Sequence, residues 1–124
     1  MSRELSENYE VVVIGAGVCG IYQIKKFLDL GINATVLEAE ADLGGTWYMN
    51  RYPGARFDSE SHTYGYSFSD ELLKEWHWKE RFSSQPENLR YLNFVADKFD
   101  LRDHMHFNCK VDSAYFDEIE NVWN

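Results

Sequence analysis

The hydrophobic pattern near the start of the chain predicts a strand, a helix and a second strand. Residues 10–14 read Glu-Val-Val-Val-Ile, a β-branched run typical of a central parallel strand buried on both faces. Over residues 21–30 apolar side chains recur at the spacing of one helical face. Gly31 follows, where helices commonly end in a left-handed residue, and residues 33–38 read as another strand. A βαβ unit is therefore predicted over residues 9–38.

Residues 39–68 differ from this unit. They are rich in Gly, Ser, Tyr and Arg and have no lasting period. A stretch of this length without periodicity predicts an extended, mostly irregular segment with a functional role.

The rest of the chain predicts helices over about 70–99 and strands over about 106–124. A short helix is expected at 70–78. Ser84-Gln85-Pro86-Glu87 has the form of a capping box with Pro in the first turn, and the apolar stripe behind it predicts a helix to about Phe99. Strands are expected at 106–111 and on both sides of a turn at 117–121.

A glycine motif directly follows the first strand and opens the helix. Gly15, Gly17 and Gly20 occupy the glycine positions of Gly-x-Gly-x-x-Gly. They allow a tight turn, close approach of a pyrophosphate and packing of the helix on the strand, in that order. The helix N-terminus adds free N–H groups and a positive dipole end. Glu38 ends the next strand, where a carboxylate binds ribose hydroxyls and repels the 2′-phosphate of NADP, so the motif predicts a site for FAD or NAD.

Composition and charge exclude several classes of partner. The net charge of −9 disfavours nucleic acid and membrane surfaces. No apolar run approaches the roughly 20 residues that span a bilayer, and residues 1–10 lack a signal-peptide pattern, so a cytoplasmic location is expected. The aromatic content of 16% has two explanations, an aromatic core or packing against a ring cofactor or partner domain.

Cysteine and histidine suggest no disulfide or metal site. Cys19 and Cys109 belong to no Cys-x-x-Cys pair, and Cys19 is expected to serve packing inside the glycine motif. His104 and His106 have no third ligand at suitable spacing, so no metal is expected.

The irregular segment distinguishes FAD from NAD. Residues 44–58 read Gly-Gly-Thr-Trp-Tyr-Met-Asn-Arg-Tyr-Pro-Gly-Ala-Arg-Phe-Asp. This run resembles, at every fixed position, the Gly-Gly-x-Trp-x₄-Tyr-Pro-Gly-x₃-Asp fingerprint of the Baeyer–Villiger monooxygenases. The resemblance continues through most of the chain, in Ser59-Glu60-Ser61, Tyr64-Gly65-Tyr66-Ser67-Phe68, Glu75-Trp76-His77-Trp78, Arg81-Phe82, Ser84-Gln85-Pro86 and Phe94-Val95-Ala96-Asp97.

The resemblance implies an α/β fold, a Rossmann-like FAD/NAD(P)-binding domain with a parallel sheet. The sequence is most similar to the phenylacetone, cyclohexanone and steroid branches of the family. These enzymes use FAD, NADPH and O₂ to insert one oxygen beside the carbonyl of a small ketone, which gives an ester or lactone. The chain ends at Asn124 in what reads as the beginning of a strand, so the domain is expected to be incomplete at the C-terminal end.

The resemblance also implies roles for individual residues. Asp58 is the implied catalytic residue, because the matching aspartate pairs with an arginine from a later part of the chain that stabilises negative charge at the flavin. The implied cofactor contacts are Gly15, Gly17, Cys19 and Gly20 at the pyrophosphate, Glu38 at the ribose, Thr46, Trp47, Tyr48 and Met49 along the flavin, Asp58 and Tyr64 near its reactive half, Val111 at the adenine, and Arg56, Phe57 and Asp58 near the nicotinamide of NADP.

Two departures from the family limit these expectations. Phe57 stands where many members have Cys. The second glycine motif, a Phe-x-Gly-x₃-His-x₃-Trp segment and the downstream arginine have no counterpart in these 124 residues. Catalysis is therefore expected to require the remainder of the protein's own chain or a complementary fragment. Two alternatives stay open, a flavin N- or S-oxygenating monooxygenase and a non-catalytic stand-alone nucleotide-binding module.

Overall fold

The computed structural model describes residues 8–124 and contains a parallel three-stranded sheet. In chain order the elements are β1 (Val11–Ile14), α1 (Val18–Asp29), β2 (Ala34–Leu37), α2 (Thr46–Met49), α3 (Ser61–Tyr64), α4 (Asp70–Glu75), α5 (Gln85–Lys98), a 3₁₀ turn (Arg102–His104), β3 (Met105–His106), β4 (Phe116–Asp117) and β5 (Val122–Trp123). The strand order is β1-β2-β3, with Val13 opposite Val36 and Leu37 opposite His106.

The predicted β1–α1–β2 unit is confirmed. Helix α1 buries Ile21 and Ile24 and is followed by Gly31 at φ +70°, the left-handed residue that the sequence predicts. The helix begins at Val18 rather than at residue 21, because the glycine motif itself supplies the first helical turn.

The expectation that β1 is a central strand buried on both faces is wrong for the described part of the chain. Strand β2 lies in the middle, and β1 forms an edge. Val13 is buried, whereas Val12 and Ile14 are 48% and 67% exposed. Successive residues of a strand point to opposite faces, so one face of β1 packs into the core and the other faces outward.

The irregular segment 39–68 contains two single-turn helices, α2 and α3, that the pattern did not predict. Helix α4 ends at Glu75, three residues before the predicted end, because Trp76 is already in extended conformation. The side chains of Trp76 and Trp78 pack against the hydrophobic core.

Helix α5 begins and ends close to the prediction, but the capping box is wrong. The Ser84 side chain makes no capping hydrogen bond, and the Ser84 backbone lies in an antiparallel bridge with Arg56. The buried Glu87 carboxylate accepts the backbone N–H of Lys79 at 3.3 Å. Tertiary contacts therefore replace the local cap, and Glu87 ties the segment before α5 to its first turn.

The aromatic side chains form a contiguous core, which favours the first of the two explanations for their abundance. Phe57 stacks on Tyr64 at 3.8 Å between ring centroids, and Trp78 contacts Tyr91 at 4.7 Å. Tyr91 in turn contacts Tyr66 at 5.9 Å. These contacts connect the irregular segment to α5, which explains how a stretch with little regular structure holds a fixed conformation.

The C-terminal part differs from the predicted strands. Strand β3 covers Met105–His106 rather than 106–111, and Val111 lies beyond it in irregular structure. Strands β4 and β5 form the hairpin expected around residues 117–121. None of the helices in the described range has the length and apolar character needed to cross a membrane.

Candidate functional site

The first glycine turn joins β1 to α1 and leaves the helix N-terminus open. Gly15 has φ +94°, a conformation that residues with a side chain rarely adopt. A Cβ on Gly20 would lie 1.9 Å from the Gly15 carbonyl oxygen, so only glycine permits this approach of helix to turn. No side chain caps the helix at Gly17, and its first turn contains no acidic residue. The turn therefore favours an anion.

A second glycine turn, at Gly44 and Gly45, lies against the first. The Gly44 N–H donates to the Ala16 carbonyl at 2.9 Å. Gly45 has φ +52°, and a Cβ placed on it would lie 2.9 Å from the Gly17 Cα. The chain thus brings the Gly-x-Gly-x-x-Gly motif and the start of the 44–58 fingerprint into backbone contact, although they are separate in sequence.

Glu38 lies beside both turns at the end of β2. Its carboxylate is buried, with Oε2 accepting the Ala16 N–H at 2.6 Å and Oε1 accepting the Glu40 N–H at 2.9 Å. The Glu38 backbone N–H donates to the His106 carbonyl at 2.9 Å. The predicted ribose-binding acid is therefore fixed next to the N-terminus of α1.

These features fit the ADP half of a dinucleotide. Backbone amides, an uncapped helix N-terminus and a nearby carboxylate are the groups that bind a pyrophosphate and a ribose. The Cβ position of Gly17 meets only the Gly45 Cα, at 3.6 Å. A side chain there would occupy the space in front of the helix amides, which an anion needs.

The residues predicted to contact the flavin or the nicotinamide have two different environments. Trp47 is 7% exposed, and its Nε1–H donates to the Tyr64 hydroxyl at 2.9 Å. Phe57 is also buried and lies edge-on to Trp47, with ring centroids 5.0 Å apart. Thr46 and Met49 are exposed, and Tyr48 is half-buried. The buried rings shape the segment, and the outer residues of α2 are open to a ligand.

Arg56 and Asp58 are close in sequence but have different partners. Arg56 Nη1 donates to Glu80 Oε2 at 2.7 Å and to the Phe82 carbonyl at 3.0 Å. The Asp58 side chain is exposed and has no hydrogen bond or ion pair with any residue in the described range 8–124. Asp58 is thus accessible to a partner. Arg56 is already bonded and links the irregular segment to residues 80–82.

Two further site residues deviate from the expectation. Cys19 is exposed in the first turn of α1, so the prediction that it serves packing is wrong. Helical geometry turns it outward, while Gly20 takes the crowded position. Val111 is partly buried and lies outside the sheet, so the strand that was expected to carry it does not include it.

Sequence reasoning missed three supporting residues. Ala16 connects Glu38 to the second glycine turn, and Gln85 donates from Nε2 to the Trp47 carbonyl. The Tyr66 hydroxyl donates to the Val18 carbonyl in the first turn of α1. Gln85 lies in the predicted capping box and in the family resemblance, but neither motif indicated that its side chain is buried and bonded to the Trp47 carbonyl.

Burial also affects the acidity of two tyrosines in the core. It raises the pKa of Tyr66 far above the ordinary tyrosine value. Burial likewise raises the pKa of Tyr91 to about 12, although the N–H that Tyr66 donates to its hydroxyl lowers it in part. Both hydroxyls are therefore neutral hydrogen-bonding groups near neutral pH.

Comparison with known proteins agrees with this geometry. A model of the NAD(P)-binding Rossmann-like domain family matches residues 13–76. The 2-oxo-Δ³-4,5,5-trimethylcyclopentenylacetyl-CoA monooxygenase of Pseudomonas putida is 48% identical over 98% of this chain, and a Baeyer–Villiger monooxygenase of Pseudooceanicola batsensis is 44% identical over 99%. A phenazine N-monooxygenase of Lysobacter antibioticus is 42% identical over 94% of the chain.

A solved structure also superimposes closely. The crystal structure of OTEMO in complex with FAD and NADP aligns with a TM-score of 0.89 and 48% identity over 96% of this chain. The chain spans 22% of the length of that structure and 22% of the Pseudomonas putida relative.

The chain belongs to the NAD(P)-binding Rossmann-like domain family. Within that class, its relatives over nearly its whole length include Baeyer–Villiger monooxygenases, which confirms the resemblance that the sequence carries.

Proposed function

We propose that this chain is the FAD-binding segment of an NADPH- and O₂-dependent flavoprotein monooxygenase that oxidises ketones to esters or lactones. The observation that carries the proposal is the backbone contact between the two glycine turns, with Glu38 beside them. One turn matches a dinucleotide motif and the other opens the Baeyer–Villiger fingerprint.

The cofactor would lie across both turns. The amides of Gly15, Gly17, Cys19 and Gly20 would hold the pyrophosphate, and Glu38 would accept hydrogen bonds from the ribose. The exposed side chains of α2 would lie along the isoalloxazine ring, which supplies the reaction with O₂ when bound. NADPH would approach at Arg56, Phe57 and Asp58, and Asp58 would orient an arginine from outside this segment.

The segment would function as part of a longer protein. Strand β1 has a neighbour on one side only within residues 8–124, and its outward side chains, Val12 and Ile14, are exposed and apolar. An open strand edge beside an apolar face is a surface that proteins normally cover. The remainder of the protein's own chain, or a complementary fragment, would cover it. We also propose a cytoplasmic location.

The decisive experiment uses the intact protein as purified. Its flavin is released by denaturation and identified by absorbance and mass, and NADPH oxidation is then followed with ketones, amines and sulfides. We expect FAD, together with NADPH consumption matched by ester or lactone formation. Turnover of amines or sulfides alone would contradict the proposed ketone oxidation.

N-oxygenation is the second candidate, since a phenazine N-monooxygenase is among the relatives. The same assay separates the two reactions by product mass and structure. A non-catalytic nucleotide-binding module is the third. It predicts a denatured polypeptide near 14.6 kDa that binds nucleotide but does not consume NADPH with any substrate.

A further inference from the structure

Glu38 holds the glycine turn as well as facing the site. Its Oε2 accepts the Ala16 N–H at 2.6 Å, within the Gly15-Ala16-Gly17 turn. The Ala16 carbonyl accepts the Gly44 N–H at 2.9 Å. One residue, Ala16, therefore connects the Glu38 carboxylate to both glycine turns.

This connection matters because the turn is intrinsically flexible. Gly15 and Gly17 flank Ala16, and glycine loses more conformational freedom on ordering than any other residue. A turn that is ordered before the nucleotide binds avoids this cost at the moment of binding. The Ala16 bond is buried, where a hydrogen bond to a charged acceptor is strong.

We propose that Glu38 is a positioning residue for pyrophosphate binding, and that its carboxylate keeps the amides of the glycine turn aimed at the ligand independently of its contact with ribose. The inference rests on the proposed nucleotide site. It adds a second role to a residue whose place in the motif implies ribose binding alone.

The two roles predict opposite effects for a ligand without ribose hydroxyls. If Glu38 contacts only ribose, removing its carboxylate leaves the affinity for such a ligand unchanged or makes it tighter, because repulsion between carboxylate and phosphate is lost. If Glu38 positions the turn, the same change weakens binding although the residue never touches the ligand.

The test measures binding of ADP and of 2′,3′-dideoxy-ADP to the intact protein after its flavin has been removed. In E38A we expect dideoxy-ADP to bind about tenfold more weakly, equal to about 1.4 kcal/mol. The matched control is E40A, which removes a neighbouring negative charge. The Glu40 side chain makes no hydrogen bond within the described range, and its bond to Glu38 comes from the backbone N–H, which alanine keeps. We expect E40A to bind dideoxy-ADP within about twofold of wild type.

A second readout needs no ligand. Hydrogen exchange at the Ala16 amide of the flavin-free protein should be slow in wild type and in E40A, and at least about tenfold faster in E38A. A role in ribose binding alone would leave this exchange unchanged. Unchanged or tighter binding of dideoxy-ADP by a folded E38A protein would overturn the proposal, whatever cofactor the intact enzyme carries.

If E38A does not fold, the E38Q variant tests the positioning role of Glu38. Glutamine keeps an oxygen that can accept the Ala16 N–H but removes the charge. We expect E38Q to protect the Ala16 amide and to bind dideoxy-ADP within about threefold of wild type, while its preference for ADP over dideoxy-ADP decreases. An unprotected Ala16 amide together with unchanged dideoxy-ADP binding would refute the positioning role.

The outcomes also separate this inference from the proposed function. Failure of wild type to bind ADP or FAD would reject the nucleotide site itself. Binding of both by wild type with an unaltered dideoxy-ADP affinity in E38A would reject only the positioning role.

Discussion

Gly45 lies so close to Gly17 that a methyl group on Gly45 would lie 2.9 Å from the Gly17 Cα. This contact places the start of α2 directly against the start of α1. A side chain on Gly45 in the second glycine turn would therefore force the two turns apart. The residues expected to contact pyrophosphate and those expected to contact flavin therefore meet at one junction of close backbone contact.

The junction makes Gly45→Ala a direct test of the site. We expect this variant to lose flavin and to unfold at a lower urea concentration than wild type. Its free energy of unfolding should decrease by about 1–3 kcal/mol, because the substitution combines a strained φ with a steric clash. The control is Gly54→Ala, which also has positive φ, at +83°, but has open space at the Cβ position. Gly54→Ala should lose stability through strain alone and keep its flavin.

Tyr91 gives the protein a predictable sensitivity to alkaline pH. Burial raises its pKa from the ordinary value of 10 to about 12, so the unfolded chain releases the tyrosine proton at lower pH than the folded chain. The stabilisation is complete below about pH 10 and is lost as the pH rises through about 12, since the unfolded state then binds fewer protons.

The measurement is urea unfolding at several pH values between about 9 and 12. We expect stability to fall less steeply with pH in Tyr91→Phe than in wild type. At neutral pH the free energy of unfolding of Tyr91→Phe should be about 1 kcal/mol lower than that of wild type, because the Tyr66 N–H loses its acceptor. Tyr115→Phe, at an exposed tyrosine, should show the wild-type slope; an equal slope in Tyr91→Phe would contradict the assigned burial effect.

Arg56 allows its structural and binding roles to be separated. Its ion pair with Glu80 is exposed on both sides, so Arg56→Ala and Glu80→Ala should each change the free energy of unfolding by less than about 1 kcal/mol. If Arg56 contacts NADPH, only Arg56→Ala raises the KM for NADPH, because Glu80→Ala removes the pair but keeps the guanidinium. Equal KM values in the two variants would assign Arg56 a structural role alone.

Asp58 should affect turnover without affecting the fold. Its side chain is exposed and has no partner among residues 8–124, so Asp58→Asn should leave the unfolding midpoint and the flavin content unchanged. We expect ketone turnover to decrease at least about tenfold, because the arginine it orients would lose a charged hydrogen-bond partner. Asp112→Asn, also at an exposed aspartate, serves as the control, and normal turnover in Asp58→Asn would exclude the catalytic role.

The sequence by itself determined the β1–α1–β2 unit, the left-handed Gly31, the extent of α5 and the relationship to a monooxygenase family. Each depends on signals that are local along the chain. Hydrophobic periodicity, the placement of glycines and a contiguous fingerprint report backbone geometry that is set by neighbouring residues in the sequence. These signals can therefore be interpreted without knowing which other segments pack against them.

Only the tertiary structure decided how separate segments meet. It brought Gly45 to Gly17, joined the Glu38 carboxylate to the Ala16 amide, and gave Glu87 the Lys79 N–H in place of the expected local cap. It also put β1 at the edge of the described sheet and turned Cys19 outward. These outcomes depend on which groups compete for the same donor or the same space, and that competition exists only after the chain has folded.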